Sequence, residues 1–171
     1  MHGKPIRFGY KAWCLCTRLG YLIQAKLYQG AKTGNTDPDV GVSGSVVLNL
    51  IQDIPEKKYN VFFHNFFTSV KLVEKLKEKD ILSTGTIRSN RVENAPLLDD
   101  KALRKKPRGS YDQVTDERTG ITIIRYNDNN IVTVASTQAG VNPSRKVKRY
   151  SQSLKKYVLV DQPACVVLYN A

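Results

Sequence analysis

The chain has 171 residues, and 27 basic against 15 acidic side chains give it a formal net charge of +12. A hydrophobic content of 41% excludes a wholly disordered chain. No apolar run approaches the ~18 residues a membrane-crossing helix requires, and Met1-His2-Gly3-Lys4-Pro5 lacks the apolar centre of a secretory signal.

From Arg7 to Cys16 the pattern has period two, with Phe8, Tyr10, Ala12, Cys14 and Cys16 on one side and Lys11 and Trp13 on the other. That is a strand. Leu19-Gly20 turns the chain, and Tyr21–Tyr28 is a second strand, so the two predict an antiparallel hairpin. Residues 30–44 are rich in glycine and predict a loop. Val46, Val47, Leu50, Ile51 and Ile54 then fall at helical spacing, with Ser43 or Ser45 as the cap and Pro55 as the stop. The run Tyr59–Phe67, YNVFFHNFF, predicts a strand buried on both faces. Thr68 or Ser69 caps a second helix whose apolar side is Leu72, Val73 and Leu76, and Ile81–Ile87 is a further strand.

Composition shifts near Arg88, and residues 89–120 predict a polar loop with little core. Ile121–Tyr126 and Ile131–Ser136 are strands, joined by the turn formers Asn127-Asp128-Asn129-Asn130. Arg145–Tyr150 reads as a basic linker or strand. Tyr157–Val160 and Ala164–Tyr169 read as short strands about Asp161-Gln162-Pro163. The fold class is therefore α/β, with residues 1–90 as the core and a mostly β segment appended to it.

The positive charge falls in blocks. Residues 1–34 hold Lys4, Arg7, Lys11, Arg18, Lys26 and Lys32 with no acid. A second block is Lys101, Arg104, Lys105, Lys106 and Arg108. A third is Arg145, Lys146, Lys148, Arg149, Lys155 and Lys156. Neutralising phosphates releases their counterions, so three such blocks point to DNA as a weak, electrostatic partner. The bland alternative is a solvated, solubilising surface.

Catalytic signals are sparse. Two histidines and the one-residue spacing of Cys14-Leu15-Cys16 do not make a zinc site, and all three cysteines read as small buried hydrophobes in a reducing, intracellular compartment. Gly41-Val42-Ser43-Gly44-Ser45 lacks the lysine of a phosphate-binding loop. His64-Asn65 is a polar pair in the most apolar strand, which is costly unless bonded or placed at the strand's end.

Several segments together resemble the piggyBac transposase family. They are Val61–Ser69 (VFFHNFFTS) with Leu72 and Leu76, then Gly85-Thr86-Ile87-Arg88-Ser89-Asn90-Arg91. Lys4-Pro5-Ile6-Arg7-Phe8-Gly9-Tyr10-Lys11 is similar to the family's K-P-x-[KR]-x-G-x-K segment. Gly20-Tyr21, Tyr28-x-Gly30, Ser136-Thr137 and Pro163…Tyr169-Asn170 keep the same order. The resemblance implies an RNase H-like catalytic core with a β-rich insertion, nuclear localisation, and three aspartates holding two magnesium ions for DNA cleavage and joining. Such ions need hard oxygen ligands.

Carried over by position, the resemblance implies a degenerate, truncated member. The first family aspartate precedes Lys4 and the third follows Tyr169-Asn170, so both fall outside the chain. The second, in the family's D-N-x-F-T-S motif, is His64 here. Asp53, Asp128 and Asp161 match none of them. The expectation is an incomplete RNase H-like core over residues 1–90, an insertion-type β-rich subdomain over 91–165 and a truncated return toward the core at 166–171, with two strand edges lacking their usual partner. No cofactor is retained and no catalysis is expected. Residual DNA binding would fall to Lys101, Arg104, Lys105, Lys106, Arg108, Arg145, Lys146, Lys148 and Arg149. The alternatives are an interaction or scaffold remnant, associating with itself or with transposase relatives, and a piece of a longer active transposase.

Overall fold

A computed structural model describes residues 9–30, 36–55 and 59–171. The chain divides into two compact units, Met1–Lys57 and Lys58–Ala171.

In the first unit, β1 (Ala12–Cys16) and β2 (Leu22–Leu27) form the expected antiparallel hairpin. Gly20 takes a φ of +84° in its turn, where a side chain would be strained. The phase of β1 is the reverse of the expected one. Trp13 is buried while Tyr10, Cys14 and Cys16 are exposed. A period of two fixes which residues share a face but not which face is covered. Here the large indole takes the covered side, its ring edge-on to Tyr28 at 5.8 Å. Helix α1 (Gly41–Ile51) buries Val46, Val47, Leu50 and Ile51. Neither expected serine caps it. The N-cap is Val40, and Ser45 instead accepts the Asp37 N–H (2.8 Å) and donates to the Gly41 carbonyl (2.7 Å).

The second unit is built on a five-stranded sheet. Its strands are β3 (Asn60–Phe63), β4 (Leu82–Thr86), β5 (Tyr111–Thr115), β6 (Thr122–Asn127) and β7 (Ile131–Ser136), in the order β3-β4-β7-β6-β5. The pair β3/β4 is parallel and the others are antiparallel. The crossover between β3 and β4 is helix α2 (Val70–Glu78), which buries Leu72, Val73 and Leu76 and is capped by Ser69 accepting the Leu72 N–H at 3.2 Å. Gly85 in β4 is required by packing, since a Cβ there would lie 2.6 Å from the Phe63 ring.

Four expectations are corrected in this unit. Strand β3 ends at Phe63 and buries alternate residues only, Val61 and Phe63. The strand buried on both faces is β6, where all six residues are covered. Residues 89–120 are not a bare loop, because they carry helix α3 (Asp100–Arg104), with Leu103 fully buried, and strand β5. Ala164–Tyr169 is helix α4, not a strand. A short apolar run is ambiguous in period. Here Pro163 stands at the N-cap, and the first free N–H groups, of Ala164 and Cys165, are taken up by the carbonyls of Val141 and Gly140. Cys165 and Val166 then join Ile124, Tyr126, Val134 and Val141 in one apolar cluster.

The composition shift near Arg88 marks no boundary between compact units, because β4 hydrogen-bonds to β7 across it. Strand β3 is an edge strand, paired with β4 alone among the described residues. Beyond the sheet, β8 (Arg145–Ser151) and β9 (Lys156–Gln162) form a separate two-stranded hairpin.

Candidate nucleic-acid interface

The second and third basic blocks meet at the turn of the β6–β7 hairpin. Asn127 closes β6, and its side-chain amide donates to the carbonyls of Leu103 (3.1 Å) and Lys106 (2.9 Å). It thereby holds the C-terminal turn of α3, where carbonyls lack helical partners. Backbone bonds from Gly109 N–H to the Asn127 carbonyl (2.7 Å) and from Asn127 N–H to the Ser110 carbonyl (2.8 Å) fix the chain leaving that turn. One residue on, the Asp128 carboxylate takes Arg108 at 2.6 Å and Arg149 at 3.2 Å. Arg108 also donates to the Tyr150 carbonyl of β8 at 3.0 Å. One turn thus joins segments about forty residues apart in the chain.

This geometry sorts the expected binding residues. Arg108 and Arg149 are partly buried and committed to Asp128. Their first role is structural. Lys101, Arg104, Lys105 and Lys106 are exposed and form no ion pair among the described residues. They crowd the C-terminal end of α3, where cations suit the helix dipole, while Asp99 caps its start through the Ala102 N–H at 2.6 Å. Arg145, Lys146 and Lys148 are exposed on β8. Lys146 pairs with Asp161 directly opposite it at 3.1 Å, but both groups are more than half exposed, so the pair is weak.

In the first unit, Lys11 lies with its ammonium 4.1 Å from the centre of the Trp13 ring. Lys4, Arg7 and Lys32 of the first block lie outside the described residues.

His64 follows the last residue of β3 and is exposed. Its Nδ1 accepts the Phe66 N–H at 3.4 Å, and its carbonyl accepts the Phe67 N–H (2.9 Å) and the Thr68 hydroxyl (3.1 Å). The polar pair therefore sits at the strand's end, in a tight turn leading to α2. The sequence reading missed what braces that turn. Arg91 donates to the carbonyls of Phe66 (3.1 Å) and Thr68 (3.3 Å). Its signal was its place at the end of the Gly85–Arg91 run. Among the described residues, no three histidine, cysteine, aspartate or glutamate side chains come together as a metal cluster. No helix among them is long and apolar enough to cross a membrane.

A family model described as Transposase IS4 matches residues 1–171. The chain is 43% identical over 173 aligned residues to human PiggyBac transposable element-derived protein 3, covering 99% of this chain and 29% of that protein. It is 39% identical to human PiggyBac transposable element-derived protein 2, covering 98% of this chain and 29% of that one. The chain thus spans under a third of the length of either relative. A cryo-EM structure of a piggyBac transposase synaptic complex with hairpin DNA matches with a TM-score of 0.68 and 24% identity, over 99% of this chain and 33% of that one. That likeness is one of fold, and it agrees with the α/β, RNase H-like class expected from the sequence.

Proposed function

The chain belongs to the piggyBac-type transposase family, and from that premise we propose that it binds DNA through the phosphate backbone without itself cutting or joining strands. The observation that carries the binding is the meeting of two sequence-distant basic blocks at Asn127 and Asp128, with Lys101, Arg104, Lys105, Lys106, Arg145 and Lys148 left exposed around it. Exposed cations of this kind neutralise phosphates and read no base. The synaptic complex with hairpin DNA supports the same partner. Membership of a transposon-derived family supports a nuclear location for such a role.

The case against catalysis rests on His64. Histidine occupies the position of the family's second aspartate, and its Nδ1 is already engaged by a backbone N–H. Magnesium prefers anionic oxygen, which an imidazole does not supply. The donors around His64 do not fit a pair of magnesium ions.

The test is fluorescence anisotropy with a labelled duplex at increasing salt. Replacing Lys101, Arg104, Lys105 and Lys106 together with alanine should weaken binding on every sequence and flatten the salt slope by up to about 3–4. Absence of duplex binding at low ionic strength would refute the reading. A cleavage and strand-transfer assay with magnesium or manganese tests the rest. Metal-dependent nicking that disappears in His64→Ala would overturn the assignment of inactivity.

A further inference from the structure

The outward face of the β8–β9 hairpin carries more than charge. On β8 the side chains alternate, so Lys146, Lys148 and Tyr150 share one face. Their cross-strand partners are Asp161, Leu159 and Tyr157. Tyr150 and Tyr157 stand directly opposite each other, edge to face, with ring centroids 5.5 Å apart. They are 50% and 70% exposed, and Leu159 beside them is 62% exposed. Lys148 lies two residues from Tyr150 on the same face, and the exposed Lys155 stands in the turn that joins the strands.

Two tyrosines and a leucine side by side on one hairpin face form an exposed apolar patch among lysines. The platform is also held in place from behind. Arg108 donates to the Tyr150 carbonyl, Arg149 pairs with Asp128, and the Tyr126 hydroxyl donates to the Asp161 carbonyl at 2.9 Å. Side chains on a braced strand are pre-organised for a ligand.

We infer that Tyr150 and Tyr157 form a stacking platform for unpaired bases, with Lys148 and Lys155 taking the flanking phosphates of a single-stranded nucleic acid. This rests on the proposed nucleic-acid binding and names the form of strand that this face takes. Base faces are hidden within a duplex, so only an unpaired base can lie on a tyrosine ring. A second copy of the hairpin is a poorer occupant, because its lysines would meet lysines of the same sign.

The experiment compares a labelled oligothymidylate, a labelled oligouridylate and the oligothymidylate–oligoadenylate duplex on the full chain. Tyr150→Ala/Tyr157→Ala should weaken the single strands by about 10-fold or more, as loss of base–aromatic stacking does, and leave the duplex unchanged. Tyr150→Phe/Tyr157→Phe keeps the rings and should bind like the parent. The two single strands should respond alike, because stacking does not read the sugar; loss confined to one would assign the platform to that strand type. If the alanine pair weakens duplex and single strands equally, or neither, while duplex binding persists, the platform is refuted and the backbone reading survives. If the parent binds no nucleic acid, both fail. If the alanine pair instead converts a dimer to a monomer in sedimentation with single-strand affinity unchanged, the face is a contact between copies and the inference is overturned.

Discussion

The second unit contains two antiparallel hairpins that meet different fates. In β6–β7, β6 is covered along its whole length, Ile124 and Ala135 are fully buried, and the strands are flanked by β5 on one side and β4 on the other. In β8–β9 the strands pair only with each other among the described residues, and one face stays in water. Hairpin formation is a local matter of alternation and turn chemistry. Burial is decided by what packs on either side, and here α4 and its cluster cover the first hairpin while the second buries only Val160 and Gln162 of its inner face and is tied to the first at Asp128 and Tyr126. One hairpin is thereby core and the other is surface available for binding.

The largest expected effect tests that contrast directly. Ile124→Ala should cost about 2–5 kcal/mol in urea unfolding, because it opens a cavity in a fully buried cluster. Leu159→Ala, a comparable truncation on the outward face of β9, should stay within about 0.5 kcal/mol. A large loss from Leu159→Ala would mean that this face is covered in solution, and the contrast would collapse. The same cluster should hide a thiol. Burial pushes the Cys165 thiol up to about 12, whereas Cys14 and Cys16 are exposed. An aromatic disulfide reagent at neutral pH should therefore titrate Cys14 and Cys16 at once and reach Cys165 only as urea unfolds the chain.

The next effect concerns the tie between the hairpins. Asp128→Asn removes the anion shared by Arg108 and Arg149. Charge-assisted bonds at this partly exposed site should make the loss about 1–2 kcal/mol. Duplex affinity should hold or rise, since the change adds net positive charge. A fall in affinity with stability unchanged would show that the two arginines serve DNA before they serve the fold.

Much of this was legible in the sequence. Tyr21–Tyr28 and the Asn127–Asn130 turn declared their hairpins through alternation and turn residues, and Ser69 with Leu72, Val73 and Leu76 declared α2. What failed depended on distant partners. The phase of β1 turned on which face receives Trp13. The helicity of Ala164–Tyr169 turned on the carbonyls of Gly140 and Val141, over twenty residues upstream. Leu103 gave little sign of being core amid five basic neighbours, because the side chains that cover it come from elsewhere in the chain. At the candidate interface the basic blocks were visible, but their sorting was not. Sequence spacing does not reveal that Asp128 would hold Arg108 and Arg149 while leaving Lys101 and Lys105 exposed.

The smallest expected effect isolates the second tie. The Tyr126 hydroxyl, carried by β6, donates to the Asp161 carbonyl of β9. Tyr126→Phe removes that one bond and should cost about 1 kcal/mol at neutral pH. The phenol is also pushed up from 10.0 to about 12, first by burial and then by the nearby Asp128 carboxylate. A raised folded value means that the protonated form is the one the native state favours. Its stabilisation is complete below about pH 10, where the unfolded phenol is still protonated, and is lost as pH rises through about 12. Between those limits the unfolded chain gains by ionising while the folded one does not. The stability of the parent should therefore fall faster with pH than that of Tyr126→Phe, and the gap measured at neutral pH should close and then reverse. Parallel curves through that window would mean that Tyr126 ionises as freely in the folded chain as in the unfolded one. The tie between the hairpins would then be open to solvent, and β6 would not be the covered strand on which the contrast depends.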